Sequence, residues 1–222
     1  MKQHLWRGYV RFGEFRQGLL RYLMPRRMQY VAHSWPLRPA SCPCDVHFCE
    51  YLEQREVRGK SIFHFGTGGH HVVGMRNHAQ AWANDILGLT VAPSEHASYV
   101  RQVIRDPALA AHYKVSFGDI YSLSGALLPA FDLVTLFHLC EFEDTASSGR
   151  RFDDAGLVRL FCERLAPHGR LLLYRGSFGY PSADPLIRDA VAKGWLTFVE
   201  EYQSLVIYQA GSASQPGPMA CG

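Results

Sequence analysis

His138-Leu139-Cys140-Glu141 sets an imidazole three residues before a carboxylate, directly after an apolar run. An imidazole of ordinary pKa, about 6.5, can take a proton from a hydroxyl or amine at neutral pH, and a neighbouring carboxylate can orient it or receive the acceptor. His138 and Glu141 are therefore the candidate catalytic pair, with a plainer role open to each as a polar strand end bonded to backbone. Tyr174, Arg175 and Ser177 end a second apolar run and are candidates for holding substrate, Arg175 suiting an acidic acceptor. A third run breaks into Gly66-Thr67-Gly68-Gly69, where residues without side chains can line a pocket with backbone N–H groups. Cys42, Cys44, His47 and Cys49 offer soft ligands close together. Their spacing lacks the second, distant ligand pair that closes a tetrahedron around a loop, so no metal is expected. The stretch 44–54 reads instead as a helix led in by Pro43, with Val46, Cys49 and Leu52 facing the core. His70, His71 and His78 read as helix-face residues rather than a metal set.

These groups need elements to position them. Strands are expected at 62–65, 86–90, 113–117, 131–137 and 170–174, with helix-length segments between most of them. That alternation predicts a parallel sheet covered by helices on both faces. Two further strands, at 196–199 and 204–209, are too close for a helical crossover, so at least one must run antiparallel. Ligands in such sheets sit beyond the carboxyl ends of the strands, which is where the glycine turn and the His138 pair both fall.

The chain of 222 residues is 47% apolar and 19% charged, with a net charge of +3, which fits one α/β domain with an appendage. Of six cysteines, three crowd into residues 42–49 and three scatter, unlike a secreted disulfide framework, so reduced thiols and a cytoplasmic location are expected. No apolar run reaches the roughly 20 residues a membrane-spanning helix needs. Residues 1–57 are expected to form a helical lid or cap, basic on its outer face through Arg7, Arg11, Arg16, Arg21, Arg26 and Arg27. Residues 58–210 form the main domain, and the Gly/Ser/Pro-rich 211–222 a disordered tail. The remaining charge makes no continuous track for phosphates, so no nucleic-acid partner is expected.

In order along the chain, Phe65-Gly66-Thr67-Gly68, Gly88-Leu89-Thr90-Val91-Ala92-Pro93, Gly118-Asp119-Ile120, Phe131 to His138, and Leu165-Ala166-Pro167-His168-Gly169 with its following strand resemble the motifs of the class I S-adenosylmethionine-dependent methyltransferases. The resemblance spans about residues 58–210. It implies a Rossmann-like, mostly parallel seven-stranded sheet with an antiparallel terminal strand, S-adenosylmethionine as cofactor, and methyl transfer to a small molecule. Phe65, Gly66, Thr67 and Gly68 would meet the aminoacyl part of the cofactor and Thr90 the ribose region. Asp119 would meet the adenine amino group with Ile120 packing on its face, and Gly118 and His138 would also belong to the cofactor site.

The chain departs from the family at three places. His64 stands where an acid is usual, His70 where a third glycine is usual, and Thr90 where a ribose-binding acid is commonest. Gly-x-Thr at the last position resembles a subset that acts on small molecules and lipids. Glu95 follows closely but reads as a solvated first-turn acid of a helix. Alternatives within the fold are other sulfonium chemistry, by aminocarboxypropyl transfer or cyclisation, and a non-catalytic binding protein.

Overall fold

The computed structural model describes residues 36–141 and 151–212. The basic N-terminal segment up to residue 35 and most of the expected tail lie outside the described residues.

Helix α1 (Cys44–Gln54) precedes strand β1 (Ser61–Phe65), followed by α2 (Val72–Ala79), β2 (Asp85–Thr90), α3 (Pro93–Arg105), the short α4 (Leu109–His112) and β3 (Tyr113–Phe117). Two 3-10 turns lead to β4 (Phe131–Thr135); then come α5 (Asp154–Glu163), β5 (Leu165–Tyr174), α6 (Tyr180–Ala192), β6 (Leu196–Tyr202) and β7 (Leu205–Ala210). The strands form one sheet in the order β3-β2-β1-β4-β5-β7-β6. All pairings from β3 to β5 are parallel, and β7 runs antiparallel to both β5 and β6. The expected sheet and its antiparallel strand are thus present. The order reverses between β1 and β4, and a crevice opens at such a switch point beyond the strand ends.

Strand residues alternate between two apolar layers, as a period of two requires. Phe63, Val134, Leu171 and Val206 face the side that also holds Leu157, Phe161 and Ile187 of α5 and α6. Ile62, Leu133, Leu172 and Ile207 face the side that holds residues of α1, α2 and α3. On that second face α1 is tied down by Phe48, whose fully buried ring stacks on His64 at 6.2 Å and meets Phe137 edge-on at 5.8 Å. Burying such a ring is worth about 1.5–3 kcal/mol, which fixes the start of α1 over the carboxyl ends of β1 and β4.

Two local expectations need correction. The buried residues of α1 are Cys44, Asp45, Phe48, Cys49, Tyr51 and Leu52, whereas Val46 is only half-buried. Their spacing follows 3.6 residues per turn, while the set 46, 49, 52 drifts around the helix. Strand β5 begins at Leu165 rather than 170, because the pairing of β4 with β5 absorbs residues 166–169 in a register shift. Gly169 permits it: a Cβ there would stand 2.8 Å from the carbonyl oxygens of Phe131 and Ala166.

Candidate active site

The carboxyl ends of β1 to β5 carry, respectively, the glycine turn, Thr90, Asp119, His138 and Arg175. Gly66 lies in the left-handed region at φ +82°, its N–H donating to the Leu89 carbonyl at 3.0 Å. A side chain there would need strained backbone and would stand 3.2 Å from Cδ2 of His138. The turn after β1 and the group after β4 are therefore in direct apposition. Thr67 is buried, its methyl packed where a Cβ on Gly88 would approach within 2.6 Å. The residue as a whole is 1% exposed, which narrows the role expected of it. Phe65 is a core residue. Gly68, at φ +57°, is covered by His70, whose Nε2 stands 2.4 Å from where a Cβ would be.

The irregular residues of the glycine motif are explained by Asp45. This buried carboxylate, from the first turn of α1, lies 3.7 Å from Nε2 of both His64 and His70. His64 is pinned on its other side, Nδ1 to Thr135 Oγ1 at 2.8 Å, and the Nδ1 of His70 accepts from the Val72 N–H at 3.2 Å, inside the helix start. A carboxylate thus lies beside position 64, delivered by the preceding helix. Burial pushes the Asp45 carboxyl up to about 7, with the charge on His138 pulling the other way. Burial also depresses His64, to about 3, so it is a neutral imidazole.

A second acid is recovered after β2. Glu95 is not solvated: it is buried, and its Oε2 accepts from the Thr90 hydroxyl at 2.6 Å, while Thr90 Oγ1 in turn accepts from the Ala92 N–H at 3.1 Å. The expectation of an exposed first-turn acid fails because α3 starts at Pro93, only three residues past β2, and turns its first face back onto the strand end. His71 braces the same corner, its Nε2 bonded to the Glu95 carbonyl at 3.0 Å and its Nδ1 to the Tyr113 hydroxyl at 3.0 Å. The carbonyl can only accept, so Nε2 carries the proton and Nδ1 receives the phenol's.

Asp119 caps the turn after β3, Oδ1 accepting from the Tyr121 N–H at 3.0 Å, the ordinary role of an aspartate there. Gly118 donates to the Thr90 carbonyl at 2.9 Å and so aligns the ends of β2 and β3. Ile120 is 1% exposed and belongs to the core, so its side chain does not present a face to the crevice.

His138 and Glu141 form the expected pair, Nδ1 to Oε2 at 3.0 Å. The other carboxylate oxygen accepts from Ser177 Oγ at 2.6 Å and from the Phe178 N–H at 3.0 Å, so Ser177 supports the pair. Arg175 does not join them; its guanidinium is engaged by Glu201 on the surface. Tyr174 is buried on the face that holds Cys44. His138 sits among opposing electrostatic influences. Burial works against its charge, but the neighbouring Cys42 and the Glu141 carboxylate outweigh it and raise His138 well above an ordinary histidine. The Cys42 thiol is correspondingly lowered, first by the hydrogen bond with Cys44 and then by His138, while Cys44 is raised by that same bond and by burial. Cys44, Cys42, His138 and Glu141 are thus linked as one interacting group.

Sequence reasoning missed Cys42 and Cys44 as partners of His138, since nothing local links residue 42 to residue 138. It also grouped them with His47 and Cys49, which the fold separates. His47 turns to Ser204, Nδ1 to Oγ at 2.7 Å, and Cys49 is fully buried in the core.

No protein-family model matches the chain, and no curated protein does. Solved structures do. Magnesium protoporphyrin IX methyltransferase (ChlM) from Synechocystis PCC 6803, with SAM bound, is 12% identical with a TM-score of 0.56, over 76% of this chain and 79% of that one. The CcbJ methyltransferase from Streptomyces caelestis is 12% identical with a TM-score of 0.56, over 84% and 97%. The [4+2]-cyclase SpnF is 19% identical with a TM-score of 0.52; the match covers 75% of this chain and 63% of SpnF. At these identities the likeness establishes the fold, which is the Rossmann-like α/β fold of the class I S-adenosylmethionine-dependent methyltransferases.

Proposed function

We propose that the protein binds S-adenosylmethionine across the carboxyl edge of its sheet and transfers the methyl group to a small-molecule acceptor. The observation that carries this reading is the convergence of the glycine turn, the Thr90–Glu95 pair and the His138–Glu141 pair at the β1/β4 switch point. The residues fit the cofactor. Gly66 supplies a turn without a side chain, the buried Glu95 carboxylate and Thr90 hydroxyl suit ribose hydroxyls, and Asp45 suits a ligand ammonium. Asp119 remains the residue proposed for the adenine amino group, Gly118 setting its backbone.

When bound, S-adenosylmethionine supplies an electrophilic methyl on a sulfonium. The chain's own tasks are to hold the acceptor in line, exclude water and take the acceptor's proton. His138 lies between Cys42 and Glu141, and the ring that has passed its proton to Cys42 Sγ is the neutral form proposed to take the acceptor's. Glu141, held by Ser177 and the Phe178 amide, keeps the ring oriented throughout. Tyr174 is proposed to border the acceptor, whereas Arg175 would first have to leave Glu201.

SpnF, a cyclase of the same fold, illustrates that fold and reaction are separate questions. Product analysis separates them here: incubation with S-adenosylmethionine and acceptor should release S-adenosylhomocysteine, whereas methylthioadenosine would mean that another group of the cofactor is transferred. Single-turnover assays of His138→Ala should then show a loss of about 10²-fold or more at saturating cofactor.

A further inference from the structure

We infer that Cys42, Cys44 and His138 form a binding site for a zinc-like divalent ion. One ligand atom from each of the three lies within 4.8 Å of the others. The two sulfurs are 3.5 Å apart, close to the roughly 3.8 Å that two thiolates span when each sits about 2.3 Å from a tetrahedral zinc. Neither cysteine is in a disulfide. Two thiolates and an imidazole are the donor set that selects zinc over the oxygen-seeking calcium and magnesium ions.

The surroundings are those of a built site. Cys42 and Cys44 flank Pro43 at the start of α1, and a turn fixes Cys42, its N–H donating to the Arg38 carbonyl at 2.8 Å. That entry is anchored over the strand ends by Phe48, so the distance from the cysteines to His138 is set by the packing of α1. On the other side, the His138 ring is held through Nδ1 by Glu141, itself fixed by Ser177 and the Phe178 amide. A carboxylate that orients a histidine through its second nitrogen is the usual outer support of a metal-binding imidazole. Nε2 is then the nitrogen that coordinates.

Three protein ligands leave a fourth position for solvent or for a heteroatom of an acceptor. His138 borders the glycine turn, so that position opens beside the proposed donor pocket. With the ion bound His138 is a ligand, so the proton-accepting role proposed for its ring belongs to the metal-free protein. The metal site itself does not rest on the methyl-donor reading.

The test uses the full-length chain, purified under reductant, stripped with chelator and titrated with Co²⁺ as a spectroscopic stand-in for Zn²⁺. One Co²⁺ per chain should bind with intense thiolate-to-cobalt charge-transfer bands, and Zn²⁺ should displace it. Cys42→Ser, Cys44→Ser and His138→Gln should each weaken binding by more than the roughly 10–100-fold expected of Glu141→Gln, which removes only outer support. Cys162→Ala, on the opposite face of the sheet, should bind as the parent does. Circular dichroism of each variant reports folding. Absence of a thiolate band in the folded parent, or a band that survives replacement of Cys42 and Cys44 together, would overturn the site. Calorimetry with S-adenosylhomocysteine on the metal-free protein reads the donor pocket separately, so failure of one proposal is distinguishable from failure of the other.

Discussion

Glu95→Gln is the most informative single change at the proposed ribose corner. The glutamine is isosteric and keeps an acceptor for the Thr90 hydroxyl, now 2.6 Å from Glu95 Oε2, but removes the charge. Hydrogen bonds to a charged group contribute about 1.5–3 kcal/mol and neutral ones about 0.5–1.5 kcal/mol, so the fold should lose about 1 kcal/mol. If the same carboxylate also receives ribose hydroxyls, binding loses the charge-assisted increment as well. At about 1–2 kcal/mol this is a roughly 5–30-fold weaker affinity, every 1.4 kcal/mol being tenfold. Calorimetry with S-adenosylhomocysteine measures it, with urea unfolding run in parallel. Thr90→Val should weaken affinity too, because it removes the hydroxyl and leaves Glu95 buried without that donor. A folded Glu95→Gln protein that binds within twofold of the parent would remove this acid from the ligand site and confine it to bracing α3.

Three other outcomes are expected. Gly66→Ala should cost about 1–2 kcal/mol of stability in a denaturant titration, the price of a side chain in the left-handed region, and should weaken S-adenosylhomocysteine binding by crowding His138. His71, depressed to about 4 mainly by burial, binds a proton in the unfolded chain before it does in the folded one. Its contribution is therefore complete above about pH 6.5 and lost as pH falls toward 4, by up to about 3 kcal/mol; urea midpoints of the parent and His71→Gln should converge over that window, and parallel curves would refute it. Replacing Arg16, Arg21, Arg26 and Arg27 together should expose no lost nucleic-acid activity, because the parent should form no salt-dependent complex with RNA or DNA in a gel-shift assay.

The sheet was legible in the sequence because its signals are local. Tyr113 to Phe117 is bounded by turn residues and matches its strand end for end, and the short gap before β7 left little room for anything but an antiparallel return. Helix α1 was legible in extent but not in orientation, since Asp45 was not expected to face inward. It does so beside His64 near the end of β1 and His70 just past the glycine turn, each 3.7 Å from its carboxylate. The candidate site was legible where one segment carries both partners, as in His138 and Glu141. It was not where a partner comes from another element: Cys42 and Cys44 for His138, Glu201 for Arg175, Ser177 for Glu141. Glu95 lay between these cases, close in sequence to Thr90 but turned inward only by the tight passage from β2 into α3.

The central claim is that this edge holds S-adenosylmethionine, and isothermal titration of the purified, reduced, full-length chain with S-adenosylhomocysteine tests it most directly. One molecule should bind per chain, saturably, and more weakly after Gly66→Ala or Glu95→Gln. A folded protein that takes up no S-adenosylhomocysteine and no S-adenosylmethionine, with or without Zn²⁺, would contradict it.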